Sequence, residues 1–463
     1  MSLMAEVMMK ASKRFLLHSV AARPSLWTPL NVDARELRLE STLFGGQCFR
    51  WKRTAHPSIY VGWVLDQMIA LEETGSNVYF CAISPGDRAM QSQLPSLPSP
   101  PSPPTRSPTA EATARLLRAY FQLSFPVQKL DAMFCDRDPK YFSSVSSRFS
   151  GTRLLDQDPF ECLVSFICSA NNNITRIVQM IEKLCVELGE LRAEVAVAIG
   201  GGGDGGGGGA NVGDADASVV KLYSFPSIEA LRQCSEQNFR SWGMGYRAKS
   251  IKVTIDMLCD NNFLLFRQLY AFKDPSSLMV SSFSNVLRRQ FPLANDEKSE
   301  FLTSFTETQS RVGLNAMSSA LLENQDSERV ADIDAQDNAV LDFLMQFRGV
   351  GLKVASCAAL FSLHRHSVVP VDTHIWQVST ANYVTSLRNK TCNEKTVRVV
   401  QSAWRRVFGP MAGWSQMILF ANRLKIFNSR SAEPLSMSAA DGNVAASTPV
   451  PARKRSRIVE PPI

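Results

Sequence analysis

The chain reads as an α+β protein in which an N-terminal antiparallel β-sheet domain precedes a mainly α-helical region. Two patterns predict this. Between Leu37 and Ile83, short runs rich in aromatic and β-branched residues alternate with turn residues, as in Ser58-Ile-Tyr-Val-Gly-Trp-Val and Asn77-Val-Tyr-Phe, the pattern of antiparallel strands. From about residue 112 onward apolar residues recur at helical spacing, first at Leu116, Leu117, Tyr120 and Phe121, then at Cys162, Leu163, Phe166 and Ile167. A chain of 463 residues, 45% hydrophobic, can bury one large core or several smaller ones. None of its apolar runs reaches membrane-spanning length, so a soluble chain without a membrane span is expected.

In chain order, residues 1–25 carry Lys10, Lys13, Arg14 and Arg23 against Glu6 alone. They read as a disordered tail or a mitochondrial presequence. Residues 26–156 form the predicted N-terminal α+β domain, interrupted by a Pro/Ser-rich insertion at 94–109. Residues 157–428 form the helical region, with a Gly-rich insertion at 200–209 and an acidic one at about 291–335, where partial helix is compatible with the mixture of apolar and charged residues. Residues 429–463 are a disordered basic tail, in which Arg453, Lys454, Arg455 and Arg457 read as a nuclear import signal or a loose DNA-contacting arm. Nuclear import is the reading favoured here, with the mitochondrion as a second destination.

Charge is unevenly distributed. Residues 291–342 have a local net charge of −8 within a chain of +7, leaving +15 on the remainder. Such a surplus suits a phosphate backbone as readily as it suits simple solubility. The ten cysteines are scattered, with no C-x-x-C pair and no closely spaced run. They therefore read as reduced thiols of an intracellular protein, and no metal or other cofactor is expected.

The most informative stretch is Leu344-Met-Gln-Phe-Arg-Gly-Val-Gly-Leu-Lys-Val-Ala-Ser-Cys357, followed by Val368-Val-Pro-Val-Asp-Thr-His-Ile-Trp376. An apolar helix ends at Gly349-Val350-Gly351, where two glycines permit a hairpin whose backbone N–H groups can face a phosphate. Contacts of that kind hold DNA without reading its sequence. Lys353 follows directly in the first turn of the next helix, where the positive end of the helix dipole and burial favour the uncharged, nucleophilic amine. Asp372, nineteen residues later and behind Pro370, is placed to cap the helix that starts at Thr373. Taken singly, the lysine is a phosphate anchor and the aspartate a cap. Beside one docked DNA backbone they become a nucleophile and its carboxylate partner.

The segment Gly349 to Trp376 resembles the helix-hairpin-helix and Gly/Pro-to-Asp motif of the base-excision DNA glycosylases, and its lysine resembles the mark of the bifunctional glycosylase/lyase branch. Four further blocks in the same order resemble the eukaryotic 8-oxoguanine DNA glycosylase family. They are Gly45-Gly-Gln-Cys-Phe-Arg-Trp51, Asp158-Pro-Phe-Glu-Cys-Leu-Val-Ser-Phe-Ile-Cys-Ser-Ala-Asn-Asn-Asn-Ile-Thr-Arg176, Gly243-Met-Gly-Tyr-Arg-Ala248 and Gly413-Trp-Ser-Gln-Met-Ile-Leu-Phe420. The resemblance covers about residues 24–425.

It implies that Lys353 and Asp372 are catalytic and that Gly46, Cys357, Gln416 and Phe420 bind the flipped base. The Gly46 carbonyl would accept the N7 hydrogen that 8-oxoguanine has and guanine lacks. Gln416 would bond the Watson–Crick edge, and Phe420 and Cys357 would cover the two faces. Whether Cys357 is a thiol or a thiolate paired with Lys353 is open at this stage. Asn171, Arg176, Tyr246 and Arg247 would fill the vacated position, read the opposite cytosine and wedge the duplex. Gly349, Gly351 and His374 would hold phosphates, and main-chain oxygens near Phe347 and Val350 are where a cation would aid docking. The implied partner is double-stranded DNA containing oxidised guanine, bound by a monomer. The long acidic insertion departs from the family pattern and is expected to point away from the duplex, since it would repel phosphate. Two alternatives stay open: another damaged base as substrate, and a helix-hairpin-helix DNA-binding protein without activity.

Overall fold

The structure, a computed structural model, describes residues 14–84, 109–197, 219–273 and 327–428. The Gly-rich insertion, the tail 429–463, the Pro/Ser-rich insertion up to residue 108 and the acidic stretch up to residue 326 lie outside the described residues.

The predicted antiparallel sheet is present, with strands β2 (Thr28–Pro29), β3 (Lys52–Arg53), β4 (Ile59–Val64), β5 (Gln67–Glu73) and β6 (Val78–Ile83) in the order β2-β6-β5-β4-β3. A two-residue turn at Leu65-Asp66 sets the β4–β5 register, pairing Val64 with Gln67, and Leu65 there takes a φ of 53°. All six residues of β4 are buried, because the sheet is covered on both faces.

One cover is a second sheet that sequence patterning did not foresee. It joins β1 (Arg14–Leu17), β7 (Leu191–Val197) and β8 (Val220–Tyr223), with β1 parallel to β7. Phe15, Leu17, Val195 and Val197 meet Ile59, Val61, Trp63 and Met68 of the larger sheet in one core. Residues 14–17 are thus a strand rather than part of a tail, held there by burial of their alternate side chains. The expected division at 156/157 is crossed by the smaller sheet, and the chain up to Leu424 holds together as one unit. Lys425–Asn428, in the second unit, is a single helical turn.

The other elements are helices: α1 (Leu39–Phe44), α2 (Ala110–Tyr120), α3 (Val127–Arg137), α4 (Phe142–Ser146), α5 (Pro159–Cys168), α6 (Ile174–Leu188), α7 (Ile228–Gln233), α8 (Glu236–Ser241), α9 (Arg247–Ala271), α10 (Ser327–Met345), α11 (Leu352–Ser362), α12 (Thr373–Asn382), α13 (Glu394–Phe408) and α14 (Ala412–Ala421). Helix α10 begins inside the stretch expected to be an acidic insertion, so residues 327–335 belong to the helical framework. No described helix is long and apolar enough to cross a membrane.

Helix α5 starts at Asp158, whose carboxylate accepts from the Glu161 N–H at 2.8 Å, with Pro159 in the first turn. It is apolar all round because α9 and α11 both pack on it. The stacked rings of Phe166 and Phe361, 5.5 Å apart, join α5 to α11, and Phe49 meets Phe166 edge-on at 5.5 Å. The sheet region and the helical region therefore converge where α5 packs on α11.

Candidate active site

The hairpin between α10 and α11 forms as its glycines require. Gly349 has a φ of +77°, and a Cβ there would lie 2.4 Å from the Ser250 hydroxyl on α9, so both backbone conformation and close approach select glycine. Gly351 is the N-cap residue of α11 and supplies no side-chain cap. The first N–H groups of that helix are left for another acceptor, as an anion-binding helix start requires.

Lys353, half-buried in the first turn of α11, reaches back to α5. Its Nζ donates to Ser169 Oγ at 3.2 Å and lies 5.4 Å from the centre of the Phe166 ring. Cys357, one turn along α11, is 3% exposed. Burial pushes its thiol up; Lys353 opposes that rise and Asp372 adds to it. Burial thus favours the neutral thiol next to the lysine. Lys353 and Asp372 both contribute to the electrostatic environment of the Cys357 sulfur, with opposite sign. Asp372 also caps α12, accepting from the Ile375 N–H at 2.8 Å through one oxygen.

The expected base-binding residues come from both regions. Gly46 has a φ of +84°, and a Cβ there would press on Phe420 at 3.2 Å and on Ile174 at 3.0 Å. Gly46 and Phe420 thus face each other across a narrow gap. The turn is braced from behind by Gln47, which is fully buried. Its amide nitrogen donates to the Thr42 and Arg153 carbonyls at 2.8 and 2.7 Å, and its amide oxygen accepts from the Leu155 N–H at 2.9 Å. Gln157 donates to the Gln47 carbonyl at 2.8 Å. Gln416, 3% exposed on α14, has a buried Oε1 with no hydrogen-bond partner among the described residues. An acceptor left open in this way costs about 1–3 kcal/mol unless a ligand meets it. His374 packs edge-on against Phe420, with ring centres 6.1 Å apart.

A third group surrounds the three asparagines. Asn171 is exposed in a left-handed turn with a φ of +45°. Asn172 donates to the Cys168 carbonyl at 2.9 Å, and Asn173 caps α6 through the Arg176 N–H. Tyr246 is 58% exposed and donates to the Ala170 carbonyl at 2.8 Å. Arg176 is exposed on α6. Arg247 differs from expectation. It is only 4% exposed, and its guanidinium donates to the carbonyls of Ala170 and Asn171. Its position in the first turn of α9 places it beneath the asparagine loop, which it supports. Ser169, Phe166 and Ile174 lie inside the block Asp158 to Arg176 but take no role there from the sequence, since by residue type they read as a helix cap and core positions. Only the packing of α5, α6 and α11 turns them toward the site.

A lysine in the first turn after the hairpin and an aspartate capping the next helix are the arrangement that the resemblance to helix-hairpin-helix glycosylases implies. Residues 29–163 match the family model described as the N-terminal domain of 8-oxoguanine DNA glycosylase. The chain is 28% identical over 398 residues to the N-glycosylase/DNA lyase of Arabidopsis thaliana, covering 86% of this chain and 80% of that one. It is also 28% identical over 419 residues to the N-glycosylase/DNA lyase of Saccharomyces cerevisiae, covering 85% of each. The fold is shared with the 8-oxoguanine glycosylase/lyase of Clostridium acetobutylicum, solved with double-stranded DNA containing cytosine opposite 8-oxoguanine. There the TM-score is 0.51 at 22% identity, over 85% of this chain and 92% of that one. Residues 29–163 thus carry the N-terminal domain of the 8-oxoguanine DNA glycosylase family, and most of the chain is similar to N-glycosylase/DNA lyases.

Proposed function

We propose that this protein is a bifunctional glycosylase and lyase that excises 8-oxoguanine opposite cytosine and nicks the DNA strand through a Schiff base on Lys353. The observation that carries the reading is Lys353 in the first turn after the hairpin, reaching back to Ser169 at the end of α5, in a chain whose Gly46 turn abuts Phe420. The damaged nucleotide leaves the stack and enters the pocket at that turn. Its N7–H meets the Gly46 carbonyl, and the N1–H and amino group of its Watson–Crick edge meet the open Gln416 Oε1. The N7–H contact separates the lesion from guanine by about 1–3 kcal/mol, because guanine presents a lone pair there instead.

Lys353 Nζ, as the free amine, attacks the sugar C1′, and the bond to N9 breaks as the base takes up a proton. Asp372 stabilises the positive charge that develops on the sugar. The nitrogen loses a proton as the ring oxygen gains one, and the sugar opens to a Schiff base. Loss of a C2′ proton then expels the 3′ phosphate, and water releases Lys353. The basic run at Arg453, Lys454, Arg455 and Arg457 supports delivery of this activity to the nucleus.

Borohydride reduction during turnover of a duplex with one 8-oxoguanine opposite cytosine tests the mechanism. A covalent adduct is expected with the wild type and none with Lys353→Gln. Lesion binding by the wild type without an adduct would make the protein a non-catalytic DNA binder.

A further inference from the structure

Ser169 closes α5 and is 7% exposed. Its hydroxyl hydrogen is committed to the Phe166 carbonyl at 2.7 Å. The oxygen lone pairs are therefore turned outward, and Lys353 Nζ donates to them at 3.2 Å. The serine is also anchored on its far side. The next carbonyl, at Ala170, takes hydrogen bonds from the Tyr246 hydroxyl and the Arg247 guanidinium, and Arg247 also holds Asn171. A lysine side chain has four rotatable bonds, and its other neighbours here, the Phe166 face and the Cys357 thiol, are weakly directional. The Ser169 oxygen is the directional partner that fixes where the amine points.

We infer that Ser169 is a positioning residue for the nucleophile: its oxygen, fixed by the end of α5 and by the pinned asparagine loop, holds Lys353 Nζ in line for attack on the sugar. It does not touch the reacting carbon. The inference rests on the proposed Schiff-base reading of Lys353. Misplacement of a reacting group by about 1 Å costs on the order of 100-fold in rate. Loss of the hydroxyl should therefore slow chemistry while leaving DNA docking, which uses the hairpin, unchanged.

The test uses the full-length chain and a duplex bearing one preformed abasic site, which isolates lysine chemistry from base recognition. Single-turnover nicking is compared with binding to a duplex bearing a tetrahydrofuran abasic analogue, which cannot form a Schiff base. For Ser169→Ala, nicking is expected to be about 10- to 100-fold slower, with Kd within about twofold of wild type. Ser169→Cys keeps a side chain of similar size with a poorer acceptor, so it should nick more slowly than wild type at unchanged Tm even if Ser169→Ala fails to fold. Wild-type nicking by either variant would overturn the inference, as would a parallel fall in nicking, binding and Tm. Absence of a borohydride adduct with the wild type would instead remove the reading on which the inference stands.

Discussion

At the scale of single residues, the site depends on atoms that are missing as much as on those present. Gly46 supplies a main-chain carbonyl where any side chain would push on Phe420 and Ile174, and its φ of +84° disfavours other residues. Gly46→Ala brings backbone strain of about 1–2 kcal/mol and a methyl group into the pocket. Excision of 8-oxoguanine is expected to fall at least tenfold more than nicking at a preformed abasic site, measured under single-turnover conditions. Equal losses in the two assays would place Gly46 outside base recognition. The neutral state of Cys357 has a related logic. A thiolate would form an ion pair with Lys353 and blunt the nucleophile, whereas burial keeps the sulfur a soft, uncharged wall.

At the scale of elements, the proposed chemistry falls on two helix starts. Helix α11 begins without a side-chain cap and carries Lys353 in its first turn; α12 begins with Asp372, which caps the helix. Substitution separates the proposed chemistry from the cap. Asp372→Asn keeps an oxygen for the Ile375 N–H, so Tm should change little, while base excision drops on the order of 100-fold as the charge is lost. Asp372→Ala should lose the activity and in addition about 1 kcal/mol of stability with the cap. Thermal unfolding of the two variants, alongside their excision rates, checks the distinction; equal Tm values would deny the capping role.

At the scale of the whole molecule, the far end of α11 is tied down by buried charge. Lys273, at the end of α9, pairs with Asp156 and donates to the Ser362 and Gln157 carbonyls, each at 3.0 Å. His364 contacts the other oxygen of Asp156 at 2.9 Å. Burial alone would raise the Asp156 carboxyl, but His364 and Lys273 outweigh it and hold it below the usual range. Next to them His366 is stacked on His364 and bonded to Gln122 at 2.9 Å. Burial first, and the charge of His364 second, push it down to about 3, against 6.5 for an unperturbed imidazole. Between those values the unfolded chain binds a proton that the folded protein refuses. The His366 contribution to stability is therefore full above about pH 6.5 and declines as pH falls toward 3, by at most about 1.4 kcal/mol per pH unit. The Asp156 contribution is present above about 3.8 and is lost as pH falls below it. Urea midpoints followed from pH 7 to pH 4 should fall for the wild type and fall less steeply for His366→Gln; identical slopes would show that His366 is not the group refusing the proton.

Local patterns in the sequence determined the antiparallel sheet, the helical framework, the hairpin with Lys353 in the first turn of the helix after it, and the capping position of Asp372. Each of these rests on short-range rules: strand alternation, helical periodicity, turn glycines and a capping aspartate. The sheet of β1, β7 and β8 was not legible, because its strands come from distant parts of the chain and are joined only by burying one another. Tertiary structure likewise decided that Arg247 supports the asparagine loop, that Ser169 meets the lysine, that Gly46 faces Phe420 and that Cys357 is buried. Those outcomes depend on which surfaces of separate elements come together and how much water they exclude, and spacing along the chain carries neither quantity.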